Sequence, residues 1–324
     1  MVLRKRTLAL ASRVNSCPRP PQLQQSVSTS KQDLACVTCA GKLSETQRVA
    51  ERIGRPRSGK SGKALLLTIL GEFVLPNGGS VWTSTLIEAL ALLGVGEANA
   101  RQAAARLGEE GILAPVKIGR STRWDLTPGG QRLLSAGAHR IYEFGSPDQD
   151  WDGQWLLVLT TIPEGVREKR HQVRSQLEFA GFGFVSAGVA VTPHVDREKE
   201  TQAILEALDL DPRPLVFRAS AGEFLPDREV IARAWDLGAL SGKYRWFLDE
   251  FARIRPTGGT ASFESLVMLV HEWRRFPFED PEIPMELLPA KWPGIRSKQL
   301  FDDRRARWSP AAQDWYRSLE STPN

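Results

Sequence analysis

From Lys63 onward the apolar residues recur with helical and strand periods. Before it they do not. Ala64–Val74 reads as an apolar helix, ended by the turn cluster Leu75-Pro76-Asn77-Gly78-Gly79. Thr83 or Ser84 can cap a second helix that runs to Leu93 and stops at Gly94. A third helix follows from Glu97 to Glu110, ended by Gly111. Ile112–Ile118 and Thr122–Leu126 then flank a Gly119-Arg120-Ser121 turn, the pattern of a hairpin. Pro128 opens a fourth helix through about Phe144, at a position where its missing N–H is harmless. Three helices, a hairpin and a closing helix are the order of a winged helix-turn-helix, assigned to residues 63–145.

A linker at 145–148 leads to a different pattern. Trp155–Ile162 is a continuous apolar run, expected as a buried strand. Arg167–Ala180 carries Val173, Leu177 and Ala180 on one helical face and closes at Gly181. Gly183–Thr192 reads as two strands broken at Ala187-Gly188, Asp196–Leu208 as a helix, and Leu215–Ala219 as a last strand. The order βαββαβ over 150–222 suggests a ferredoxin-like domain. Residues 225–320 form a helical domain rich in Trp and Phe, with a proline-rich stretch at 277–293. The fold class expected is therefore α+β.

Charge changes the picture only at the front. Of 324 residues, 1–63 carry 13 Lys and Arg against 3 Asp and Glu, whereas the rest is net acidic. The overall +5 is thus no argument for nucleic-acid binding by the folded part; placement has to carry it. Residues 1–62 are expected to be a disordered basic tail, and Val49 is a candidate alternative start. All three cysteines, Cys17, Cys36 and Cys39, lie in that tail, too few for a zinc site and useless to the core. With no membrane-length apolar run and no core thiol, a cytoplasmic protein without a cofactor or bound metal is expected. Gly54–Ser61 matches the phosphate-loop pattern G-x-x-x-x-G-K-S, yet no strand delivers it and Pro56 interrupts it. The four histidines are scattered, and no catalytic constellation stands out.

The third helix is the informative one. Ala100, Ala103, Ala104 and Leu107 make a core stripe. Opposite them lie Ala98, Gln102, Ala105 and Glu109, flanked by Arg101 and Arg106. Small residues at closest approach, an amide for base edges and cations for phosphates suit a major groove, although a solvated surface would also accept them. The hairpin that follows tips the balance, because Lys117, Arg120 and Arg123 make its tip basic. Thr83 and Ser84, at the start of the second helix, are counted with this face. In the last domain, His271-Glu272-Trp273-Arg274-Arg275 places cations beside aromatic residues, with Tyr244 and Trp246 on a neighbouring helix. Residue chemistry alone explains these as well by packing and surface ion pairs.

Several stretches together resemble the phenylacetic-acid-degradation repressor family, PaaX. They are Ile69-Leu70-Gly71-Glu72-Phe73, Val81-Trp82-Thr83, Ala100-Arg101-Gln102-Ala103, Trp151-Asp152-Gly153-Gln154-Trp155, Gly181-Phe182-Gly183, Trp235-Asp236-Leu237, Leu269 to Arg275, Asp280-Pro281 and Trp292-Pro293-Gly294. The resemblance runs from about Arg57 to Leu319. It implies a transcriptional repressor, not an enzyme. Such a repressor is expected as a homodimer on double-stranded operator DNA, released by an aryl-acyl-coenzyme A effector such as phenylacetyl-coenzyme A. It also places the effector site at Tyr244, Trp246, His271, Trp273, Arg274 and Arg275. The middle unit is similar to a CRISPR-associated nuclease fold, so a metal-dependent nuclease is the alternative. That nuclease family has an aspartate near the end of its first strand, where this chain has Thr160-Thr161. Trp124 also departs from the family, which has a tyrosine there.

Overall fold

The computed structural model describes residues 61–145, 151–162 and 167–321. The expectations for residues 1–60, which include the cysteines and nearly all of the Gly54–Ser61 loop, and for linker residues 146–148 lie outside the described residues.

Helix α1 (Gly62–Ile69) continues into a π-helical turn, Leu70–Val74, and a short 3-10 turn, Leu75–Asn77. The widened turn buries Leu70, Phe73 and Val74 together and takes the Glu72 side chain inward with them. Strand β1 (Ser80–Trp82), which the sequence pattern did not announce, leads into α2 (Thr83–Leu92) and α3 (Glu97–Glu109). Strands β2 (Leu113–Ile118) and β3 (Ser121–Leu126) form the hairpin, with β3 in the middle of a sheet ordered β1-β3-β2. Helix α4 (Pro128–Glu143) starts at Thr127, whose hydroxyl accepts from Gly130 N at 2.9 Å. A Cβ on Gly130 would lie 2.3 Å from the carbonyl oxygen of Ile112, so only glycine lets α4 close onto the hairpin.

The expected cap of α2 is corrected. Trp82 holds the cap position, and neither Thr83 nor Ser84 bonds back to the helix. The pairing of Trp82 with Arg123 brings Thr83 against β3. There its hydroxyl donates to Thr122 O at 2.8 Å and accepts from Trp124 Nε1 at 3.0 Å.

The middle segment forms β4 (Trp155–Leu159), α5 (Arg167–Phe179), β5 (Gly183–Ser186), β6 (Val189–Thr192), α6 (Glu198–Ala207) and β7 (Leu215–Ala219). The sheet order is β5-β6-β4-β7 with antiparallel neighbours, which is the ferredoxin-like arrangement. Strand β4 stops three residues short of the apolar run, because Thr160 N turns to bond Gly188 O at 2.8 Å. One sheet face packs Leu156 and Val158 on Val173, Leu177, Ile204 and Leu205 of the two helices. The other sets Trp155 and Val191 against Val230 and Ile231 of α7 (Asp227–Ala234) and against Ile283.

The rest is helical: α8 (Leu237–Ala252), α9 (Gly259–Trp273), the single turn α10 (Phe276–Glu279) and the 28-residue α11 (Pro293–Glu320). Their core is shared with the N-terminal helices. Leu65, Leu66, Ile69 and Phe73 belong to the same buried cluster as Phe247, Phe263, Trp273, Phe301 and Tyr316. Phe73 meets Phe263 at 4.7 Å and Tyr316 at 5.4 Å between ring centroids. Buried Glu72 receives Arg305 of α11 at 3.1 Å and the hydroxyl of Tyr142. Residues at the two ends of the described chain thus form one packed body, while the middle sheet keeps its own cores. No helix among the described residues is long and apolar enough to cross a membrane.

Candidate nucleic-acid interface and ligand cleft

Helix α3 splits its surface as its period dictates. Ala100, Ala103, Ala104 and Leu107 are buried, and Ala98, Arg101, Gln102, Ala105 and Arg106 are exposed. Arg101 holds only Glu97, one turn back, at 2.8 Å. An exposed i,i+4 pair of this kind is worth about 0.3–0.5 kcal/mol, so the guanidinium is available at little cost. Gln102 and Arg106 have no side-chain partner among the described residues. The same holds for Lys117 and Arg120, both exposed at the hairpin end next to Gly119. The exposed face of α3 and the tip of the hairpin therefore carry cations and an amide that nothing in the described chain engages.

Two other residues expected at this face are occupied internally. Thr83 is bonded to β3, as above. Arg123 lies in the central strand, stacked 5.4 Å over the Trp82 ring, with Glu320 of α11 at 4.0 Å. Ser84 is half-buried at the first turn of α2.

The cluster read from the last domain is divided by the packing. Trp273 is fully buried, its indole N–H donating to Ile141 O at 3.1 Å and its ring stacked on Phe301 at 4.7 Å. Tyr244 is buried against Phe276 at 4.1 Å and donates its hydroxyl to Asp280 at 2.6 Å. Burial first, then the Asp280 carboxylate, raises the Tyr244 pKa far above the ordinary phenol value. His271 is buried with its Nδ1 3.4 Å from the hydroxyl of Thr68 on α1. Arg274 is 6% exposed; desolvation pulls its pKa down to about 10, and its Nε has no acceptor among the described residues.

Trp246 and Arg275, by contrast, line one open cleft of about 500 Å³ between α8 and the end of α9. Its α8 wall is Ala239, Gly242, Lys243 and Trp246; the other wall is Glu272, Arg275, Phe276 and Glu279. Lys243 pairs with Glu279 at 3.0 Å, and Arg275 reaches Glu272 at 3.3 Å and Glu279 at 3.5 Å. Trp246 is 48% exposed. The cleft thus offers an uncovered aromatic wall beside a chain of exchangeable ion pairs. Sequence reasoning named Trp246 on its α8 wall but missed Ala239, Gly242 and Lys243. The signal was available, since 239, 242, 243 and 246 keep the i, i+3, i+4, i+7 spacing of one helix face.

Comparisons with known proteins cover most of the described chain. Residues 61–130 match the model of a family described as PaaX-like protein. Residues 148–231 match the PaaX protein central Cas2-like domain, and 235–318 the PaaX-like protein C-terminal domain. The chain is 31% identical over 264 residues to the transcriptional repressor PaaX of Escherichia coli (strain K12), spanning 78% of this chain and 82% of that protein. An uncharacterized protein from Mycobacterium tuberculosis shares the fold, with a TM-score of 0.56 at 21% identity over 79% of this chain and 99% of that one.

Proposed function

The chain belongs to the PaaX family, and on that premise we propose that it is a DNA-binding transcriptional repressor of aromatic-catabolism genes. In this reading residues 63–145 are a winged helix-turn-helix, α3 enters the major groove and the β2–β3 hairpin is the wing. The observation that carries it is the exposed face of α3, with Arg101, Gln102 and Arg106 outward, beside the unengaged Lys117 and Arg120 of the hairpin. Ala98 and Ala105 let the helix approach base edges, Arg101, Gln102 and Arg106 read them, and Lys117 and Arg120 neutralise phosphates.

The effector in this reading is an aryl-acyl-coenzyme A thioester, in the simplest case phenylacetyl-coenzyme A. The cleft between α8 and α9 is its seat, with Trp246 as the stacking wall and Lys243 and Arg275 turning from their carboxylates to the phosphates. Tyr244 and Trp273, whose rings pack on Phe276 at 4.1 and 5.2 Å, stand behind that wall, while His271 and Arg274 are buried outside its lining. Release follows if the ligand prefers a conformation in which two copies no longer match two half-sites. The alternative, a nuclease built on the middle sheet, has only the likeness of residues 148–231 to a Cas2-like domain behind it. Among the described residues no group of three or more His, Cys, Asp and Glu gathers closely enough to hold a metal ion.

The experiment is a titration. A duplex selected from a random library by the full-length protein is bound, and phenylacetyl-coenzyme A, free coenzyme A and phenylacetate are added in turn. Release by the thioester alone supports the reading, and Trp246→Ala should weaken it. A protein that selects no duplex, or a complex that no aryl-acyl thioester dissociates, refutes the corresponding half.

A further inference from the structure

One carboxylate from the far end of the chain reaches the start of the DNA-facing unit. Helix α11 touches the π and 3-10 turns that follow α1 through Arg305 on Glu72, Gln313 on Asn77 at 2.8 Å and on Glu72 O at 2.8 Å, and Tyr316 on Phe73. It ends with Glu320. There Trp82 N donates to Glu320 Oε2 at 3.4 Å, and the Thr85 side chain bonds to the same carboxylate. Trp82 is the residue before α2, whose own first residues leave it without a side-chain cap. A glutamate bonding the N–H of a cap residue is the reciprocal half of a capping box, and its charge complements the helix dipole. Here that glutamate comes from another helix, 238 positions away.

The same carboxylate faces the hairpin. Arg123, in the middle strand, has its Nη2 4.0 Å from Glu320 Oε1 and its guanidinium over the Trp82 ring. Five buried side-chain polar atoms lack a hydrogen-bond partner among the described residues. Three of them, Arg123 Nε, Tyr316 Oη and Glu320 Oε1, belong to this cluster. Buried polar atoms left so are uncommon. Their convergence at a joint between three elements marks a contact that can tighten.

We infer that Glu320 is a positioning residue for DNA binding: it sets α2 and the β2–β3 hairpin in fixed relation through Trp82 and Arg123, and Arg123 serves this clasp rather than DNA. The inference rests on the reading of α3 and the hairpin as the DNA-contacting surface. It makes the end of α11 part of the DNA-binding unit, without any contact to the nucleic acid.

The test uses the full chain, with Glu320→Gln, Arg123→Gln, the double variant and Arg120→Gln for comparison. Two probes are titrated from 50 to 300 mM KCl: the selected duplex and a 30-base-pair duplex of mixed sequence. Glu320→Gln and Arg123→Gln should each weaken the selected duplex roughly 2- to 30-fold, the range a lost helix cap spans. The mixed-sequence duplex should be nearly unaffected, the double variant should be no worse than the weaker single, and the salt slope should stay that of wild type. Arg120→Gln should weaken both duplexes and lower the slope by about 0.9 for the phosphate lost. Simple destabilisation would instead lower the active fraction equally for both probes. A salt slope reduced by Arg123→Gln, or an unaltered selected-duplex affinity in Glu320→Gln, overturns the inference. Amide exchange without DNA gives an independent arm. Glu320→Gln should speed exchange roughly 2- to 30-fold, the same lost-cap range, in the first turn of α2 and in β3 but not in β4 or β6. Unchanged exchange there overturns the clasp even if DNA binding is confirmed. Should no variant, Arg120→Gln included, alter DNA binding, the reading of the surface fails while the exchange arm still judges the clasp.

Discussion

Phe301→Ala is the most informative single perturbation of the shared core. Phe301 is fully buried on α11, its ring stacked on Trp273 of α9 at 4.7 Å and facing Tyr142 of α4 at 6.3 Å. Removing a buried phenyl costs about 3–5 kcal/mol, a large part of the roughly 5–15 kcal/mol that holds a domain together. At about 1.4 kcal/mol per factor of ten, that is about two to four decades in the opening equilibrium. Because α1 and α11 share one buried cluster, the loss should reach both. Native-state hydrogen exchange with mass spectrometry reads it directly. The slowest amides of α1 and α11 should accelerate by the same factor, while β4 and β6, packed in separate cores, keep their protection. If α1 stays protected while α11 opens, the two ends of the chain are independent domains and the argument from the shared core is wrong.

Three further outcomes follow from other contacts. Arg101→Ala or Arg106→Ala should cost on the order of 1–3 kcal/mol in selected-duplex affinity if the arginine reads a base, measured by fluorescence anisotropy with the fold checked by circular dichroism. Arg305→Met should destabilise the fold by about 3 kcal/mol in urea melts, because it leaves the Glu72 carboxylate buried without its cation; Glu72→Gln with Arg305→Met should recover part of the loss. Asp280 is raised above the ordinary carboxylate value, chiefly by burial and against the bond from Tyr244. The native state therefore holds its proton more tightly than the unfolded chain, so stability falls as pH rises from the unfolded value through the folded one. Asp280→Asn should flatten the stability profile across that window and be no less stable at pH 7; a steeper profile would contradict the assignment.

How much of this was legible beforehand depended on what each pattern encodes. The alanine stripe of α3 and the βαββαβ order were readable because one-sided burial leaves a period in the sequence. Strand β1 was not, since three residues are too few for a period and only pairing with β3 makes them a strand. That pairing also decided the fate of Thr83. The run from His271 to Arg275 misled because linear proximity is not spatial proximity on a helix buried on several sides. α9 sends His271, Trp273 and Arg274 into the core and leaves Arg275 at the cleft. Nor can an apolar stripe name its partner. Nothing in Leu65, Leu66 or Phe73 announces that they pack on residues more than 170 positions away.

That long-range packing has a consequence during synthesis. Helix α1 cannot finish its core until α11, more than 220 residues later, has been made. Translation at about 5–20 residues per second puts roughly ten seconds or more between α1 and α11. Through that interval Leu65, Leu66, Ile69 and Phe73 lack the helices that bury them. A chain terminated before Pro293 would keep every side chain of α3 and of the hairpin, yet lack Phe301, Tyr316 and Glu320. Trimming into α11 therefore removes core side chains along with Glu320, although it leaves α3 and the hairpin untouched in sequence.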